Sequence, residues 1–130
     1  MQIRVKVKHR TSTELVVGGV TGTRNRPTGL ILGRVRDGRL RVVGRTTALS
    51  PAAQDELTTL FRKPRGDHPW PPRIPAGRFG QLGADPVEYK QVEPSVVVEV
   101  ATDVAFEYGR WRHPARFIRV RRDLAADDLT

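Results

Sequence analysis

Positive charge at strand spacing is the chemistry this sequence offers first. In "GLILGRVRDGRLRVVGRT", Arg34 and Arg36 precede Asp37-Gly38, and Arg39, Arg41 and Arg45 follow it. Near the C-terminus, "RHPARFIRVRRDL" (Arg112–Leu124) carries five more arginines in the rhythm of a strand. Side chains two residues apart share one face of a strand. A guanidinium on such a face is a planar fork that fits phosphate oxygens two at a time. The terminal stretch has two readings: a solvated edge strand whose charges deter edge-to-edge pairing, or a strand that handles phosphate. On the internal ribbon, like charges facing one another across strands repel. Five arginines with no acid on their face therefore point to a bound anion.

The location of the charge sharpens this. The chain has 130 residues and a net charge of +9. Residues 1–45 hold eleven Lys and Arg against only Glu14 and Asp37, and the remaining residues balance. The first third is thus the electrostatic footprint for a polyanion. Arginine outnumbers lysine, which suits bidentate phosphate contact, although biased codon usage gives the same excess. With 38% hydrophobic residues, one domain with a modest core is expected. No cysteine is present, so neither a disulfide framework nor a thiolate metal site is available. His9, His68 and His113 show no metal-ligand spacing. The charged, alternating start "MQIRVKVKHR" is not a signal peptide, and a cytoplasmic protein is expected.

The elements that must position these charges follow from pattern and turn chemistry. "ELVVGGV" (Glu14–Val20) reads as a buried strand. Asp37-Gly38 between two alternating runs predicts a tight hairpin. Strict alternation puts Ile31, Val35, Leu40 and Val42 on its apolar face and Arg34, Arg36, Arg39, Arg41 and Arg45 on the other. "SPAAQDELTTLF" is a helix with Ser50 as N-cap, Pro51 in the first turn and an apolar stripe of Ala53, Leu57, Leu60 and Phe61. Residues 63–94 are rich in Pro and Gly and read as a long loop, with Trp70 either pinning it to the core or offering a stacking platform. "SVVVEVATDVAFE" (Ser95–Glu107) is a strand with Val96, Val98 and Val100 on one face. In the last strand Ile118 and Val120 are expected on one side, and Phe117, Arg119 and Arg121 on the other. Asp127 and Asp128 fall in an acidic tail, residues 125–130, expected to fray. The order strand, strand, strand, helix, strand, strand is that of an OB-fold: all-β with one helix, a five-stranded Greek-key barrel.

Catalytic motifs are missing. There is no GxxxxGK[ST] loop, no nucleophile elbow and no Ser-His-Asp arrangement, so no autonomous active site is expected.

Four stretches, in order, resemble the C-terminal end of bacterial ATP-dependent DNA ligases, relatives of the mRNA capping enzymes. They are "KVKHRTSTELVVGGVTG", the ribbon "GLILGRVRDGRLRVVGRTTALS", "VEPSVVVEV" and the closing "RHPARFIRVRRDL". The resemblance implies a reaction in which the lysine of a Lys-x-Asp-Gly motif is adenylated by ATP. AMP then passes to the 5′-phosphate of a nick, and the 3′-hydroxyl displaces it. No Lys-x-Asp-Gly occurs here, so the nucleophile, the adenine pocket and the Mg-binding acids are expected in an adenylation domain, supplied in cis or in trans. ATP and Mg are cofactors only of the complete ligase. Lys6 and Lys8 match the paired lysines that hold the AMP phosphate, and residues 1–12 are expected to be the last strand of that adenylation domain. Arg121 and Asp123 match the family's Arg-x-Asp-Lys, which orients the pyrophosphate of ATP, with Arg119 one face-repeat earlier. Leu124 stands where the family has its closing lysine, and Arg4 where an aromatic residue usually precedes the paired lysines. The OB domain, residues 13–124, would close over the nucleotide and then grip nicked duplex DNA through Arg34, Arg36, Arg39, Arg41 and Arg45. A free-standing OB module binding single strands through Trp70, Tyr108 or Trp111 is the alternative.

Overall fold

A computed structural model describes residues 11–79, 83–102, 106–107, 110–111 and 114–129. The elements are β1 (Thr11–Gly22), β2 (Pro27–Arg36), β3 (Arg39–Arg45), α1 (Pro51–Thr58), β4 (Arg73–Ile74), β5 (Val87–Glu88), β6 (Lys90–Thr102), β7 (Phe106–Glu107), β8 (Arg110–Trp111) and β9 (Arg116–Val120). Five of them form one antiparallel sheet in the order β3-β2-β1-β6-β9. The sheet closes on itself where Thr46 bridges Ala115 in parallel. Thr47 N–H donates to Ala115 O and Ala115 N–H to Arg45 O, both at 2.8 Å. Five strands with this order and this closing bridge make the expected OB barrel. No helix among the described residues is long and apolar enough to cross a membrane.

The barrel interior takes every second residue of its strands. Leu15 and Val17, Leu30 and Leu32, Val43, and Val98 and Val100 form its core. The helix closes one end. Its eight residues are too few to hold a helix by propensity. Ser50 Oγ accepts from Ala53 N–H at 3.2 Å, a cap worth roughly 1 kcal/mol. Complete burial of Leu57 contributes roughly 1.5–3 kcal/mol, so packing dominates.

The connection after the helix is not a bare loop. β6 begins at Lys90 rather than Ser95, and the preceding segment builds a second core on the outer face of the ribbon. Ile31, Val42, Trp70, Ile74, Phe79 and Tyr89 form it. Trp70 is 5% exposed and its indole N–H donates to Leu40 O at 2.9 Å, so the pinning role is the one it has. Gly18 and Gly33 make room for it: a Cβ at either would sit 2.4 or 2.6 Å from the indole ring. His68 fastens the same segment. Its Nε2–H donates to Gly18 O (2.7 Å) and Val92 O (3.2 Å), while Nδ1 accepts from Trp70 N–H (3.1 Å).

Two boundaries differ from expectation. Thr11 and Ser12 are paired with Thr102 and Ala101 inside the barrel sheet. Ala126–Leu129 form a 3-10 turn that packs on β1 and β6, over the outer face where Val16 and Val97 are buried.

Candidate nucleotide and nucleic-acid interfaces

The β2–β3 hairpin turns through Asp37 (φ 53°) and Gly38 (φ 74°), the two left-handed positions of the turn that Asp-Gly favours. Arg34 lies opposite Arg41 and Arg36 opposite Arg39, with Val35 and Leu40 on the other face. Four arginines therefore share one face, beyond the open end of the barrel interior. Arg45 does not join them. A bulge between Leu32 and Gly33 shifts the register, so Arg45 pairs with Ile31 and faces the second core. Its guanidinium carbon lies 5.1 Å from the centre of the Phe79 ring. Its place is taken by Arg78, which sequence reading missed because it comes from the loop. With Arg34, Arg36 and Arg41 it lines a cleft of about 220 Å³. Among the described residues, Arg36, Arg39 and Arg41 are in no ion pair.

The second charged region lies where β1, β6 and β9 meet. Glu14 sits opposite Glu99, and Glu99 opposite Arg119, so the three form a row across the outer face. Arg119 Nε donates to Glu99 Oε1 at 2.6 Å. Arg121 follows β9, held by its N–H to Val97 O at 2.8 Å. Its side chain donates from Nε (3.0 Å) and Nη2 (2.9 Å) to the two oxygens of Asp123, and from Nη1 to Glu14 Oε1 at 2.5 Å. Hydrogen bonding from Arg121 pulls the Asp123 carboxyl down to about 2, and the same bonds push the guanidinium above its usual range. Hydrogen bonding from Arg119, then from Ser12, lowers Glu99. Arg119, Arg121 and Asp123 are thus brought together, and Glu14 and Glu99 join them. Nothing in the linear sequence marked those two acids, because only strand register sets them beside the arginines.

The expected facing of the last strand needs correction. A bulge between Glu99 and Val100 places Phe117 opposite Val100 and Val120 opposite Val98, both against the core. Ile118 is turned out, 44% exposed. Lys6 and Lys8 lie outside the described residues, as does Tyr108. Trp70 has no ring face left for stacking.

The two regions lie at opposite ends of the barrel. The strands run parallel where Thr46 meets Ala115. From there the hairpin tip at Arg39 is seven residues back along β3, and Arg121 is six residues forward past β9.

The comparisons with known proteins bear on this architecture. The ligase domain from M. tuberculosis LigD superposes with a TM-score of 0.71 at 22% identity, covering 94% of this chain and 39% of that one. A mycobacterial DNA ligase D complexed with ATP and MES gives 0.64 at 21% identity, covering 94% and 38%. At such identity the likeness establishes the fold, and this chain spans about two fifths of either ligase. Among curated proteins nothing matches. The family model for the ATP-dependent DNA ligase C-terminal region matches residues 23–124, which include the ribbon, the helix, the pinned loop and the Arg121–Asp123 pair. The chain belongs to that family.

Proposed function

We propose that this chain serves as the closing and DNA-gripping domain of an ATP-dependent nick-sealing enzyme, acting in DNA repair or replication with an adenylation domain in cis or in trans. What carries the reading is the separation of two arginine-bearing surfaces to opposite ends of one barrel. A single domain can then present one end to a nucleotide and the other to a duplex.

At the β9 end, Arg121 and Arg119 are the donors for the polyphosphate of ATP. Asp123 holds one edge of the Arg121 fork, through Nε and Nη2, fixing its plane at no cost in flexibility when the ligand arrives. When bound, ATP supplies the adenylyl group, and the protein's part here is to orient the leaving pyrophosphate. Among the described residues no three acids or histidines cluster to hold a metal ion. At the hairpin end, Arg34, Arg36, Arg39 and Arg41 fit the backbone of a nicked duplex, which positions the DNA without reading its sequence. Arg78 extends that track.

The test is a split phenotype in the completed ligase. Arg121→Ala is expected to impair self-adenylation while leaving affinity for nicked duplex intact. Normal self-adenylation by that variant removes the nucleotide role.

A further inference from the structure

The Arg121 side chain is 18% exposed, yet its partners are not alike. Asp123 lies two residues away on the same strand end and takes the Nε–Nη2 edge, so it travels with the arginine. Glu14 reaches from β1 and takes Nη1. A guanidinium offers oxyanions two bidentate edges, and Nη1 belongs to the second, the edge left after Asp123 is seated. Glu14 Oε1 therefore sits where a phosphate oxygen would have to sit. Its carboxylate is 35% exposed, so it can turn out to water when displaced. Among the described residues no other acid is paired with Arg121: Glu99 is engaged by Arg119 one strand across.

We infer that Glu14 is a specificity-determining residue at the phosphate site, an internal anion that occupies the ligand edge of Arg121 and is exchanged for polyphosphate on binding. The inference rests on the nucleotide role proposed for Arg121. An anion must replace what Glu14 gives. Pyrophosphate, with more charge and two phosphoryl groups, can engage Arg121 and the 60%-exposed Arg119 together. Orthophosphate reaches one of them. Glu14 thus sets a threshold that favours the longer anion and keeps Arg121 from holding stray phosphate.

The experiment titrates the whole chain with inorganic pyrophosphate and, separately, orthophosphate, following the Arg121 Nε–H by NMR and affinity by calorimetry. Glu14→Gln keeps the shape and removes the charge. It is expected to tighten pyrophosphate on the order of fivefold, to tighten orthophosphate by more, and so to narrow the preference. The gain is expected to vanish in an Arg121→Ala background, where there is no edge to free. Glu99→Gln frees Arg119 instead, so any gain it gives is expected to survive in the Arg121→Ala background. A Glu14→Gln gain that persists without Arg121 means bulk charge alone is at work and overturns the inference. So does Arg121→Ala abolishing binding while Glu14→Gln changes nothing, an outcome that leaves the nucleotide role standing. If Arg121→Ala has no effect on pyrophosphate, or no variant binds it, the nucleotide role falls and the inference with it.

Discussion

The two ends of the barrel handle the same kind of side chain in opposite ways. At the hairpin, Arg36, Arg39 and Arg41 stand without ion pairs among the described residues, next to Arg34 and Arg78. At the β9 end, Arg119 and Arg121 are each paired with carboxylates. Uncompensated charge attracts a polyanion from a distance and releases counterions when it binds, which suits a long, uniform ligand. Compensated charge binds only by exchange, which suits a small ligand that must be told from others. On the proposed reading, the difference divides gripping from sensing within one fold.

It can be broken most forcefully at the support of the hairpin. Trp70→Ala removes the centre of the second core and is expected to cost about 3–5 kcal/mol of stability, read by denaturant titration. If the two ends are independent, the Arg121–Asp123 contact persists in that variant under native conditions, as the Arg121 Nε–H resonance would report. Next in size is the ribbon itself. Replacing Arg34, Arg36, Arg39 and Arg41 by Gln is expected to flatten the salt dependence of nicked-duplex binding by roughly 3–4 in slope, at about 0.9 per phosphate contact. An unchanged slope would put the DNA elsewhere. Smaller is Arg121→Ala in the completed ligase, expected to slow self-adenylation on the order of 10²-fold. A matching loss in DNA affinity would collapse the two ends into one site.

The gentlest probe is acid. Burial lowers the pKa of His68, and its Nδ1 must stay unprotonated to accept from Trp70. The unfolded chain then binds the extra proton first, so stability falls as pH drops below 6.5, the ordinary histidine value. The β9 end behaves differently. Asp123 is lowered to about 2, so its contribution persists until the pH falls below 3.8 and is lost on the way to 2. The loop that backs the ribbon is expected to loosen first, and His68→Gln to flatten the melting temperature between pH 7 and 5. Coincident loss at both ends would contradict this order.

Much of this was legible in the sequence, for stated reasons. Asp37-Gly38 encodes its turn locally, and the apolar periods of β1, β6 and α1 encode burial locally. Alternation failed at Arg45 and at Phe117 for one cause: a bulge adds a residue and swaps the faces beyond it, and no residue type announces it. The second core was hidden because Trp70, Ile74, Phe79 and Tyr89 are spaced by prolines and glycines with no period at all. Arg119, Arg121 and Asp123 were found through their likeness to a family motif. Their acidic partners depend on cross-strand register, which only the fold supplies.

The single parallel stitch between Thr46 and Ala115 also says something about time. The hairpin joins neighbours in the chain, whereas the stitch joins residues more than half a chain length apart. Contacts that distant wait for the loops between them to be ordered. The ribbon is therefore expected to form early, and the long-range β1–β6 and Thr46–Ala115 pairings later, so that substitutions at Ala115 chiefly quicken unfolding while those at the Asp37-Gly38 turn slow folding. A ribbon that folds before the barrel is shut has its cationic face in place from the start.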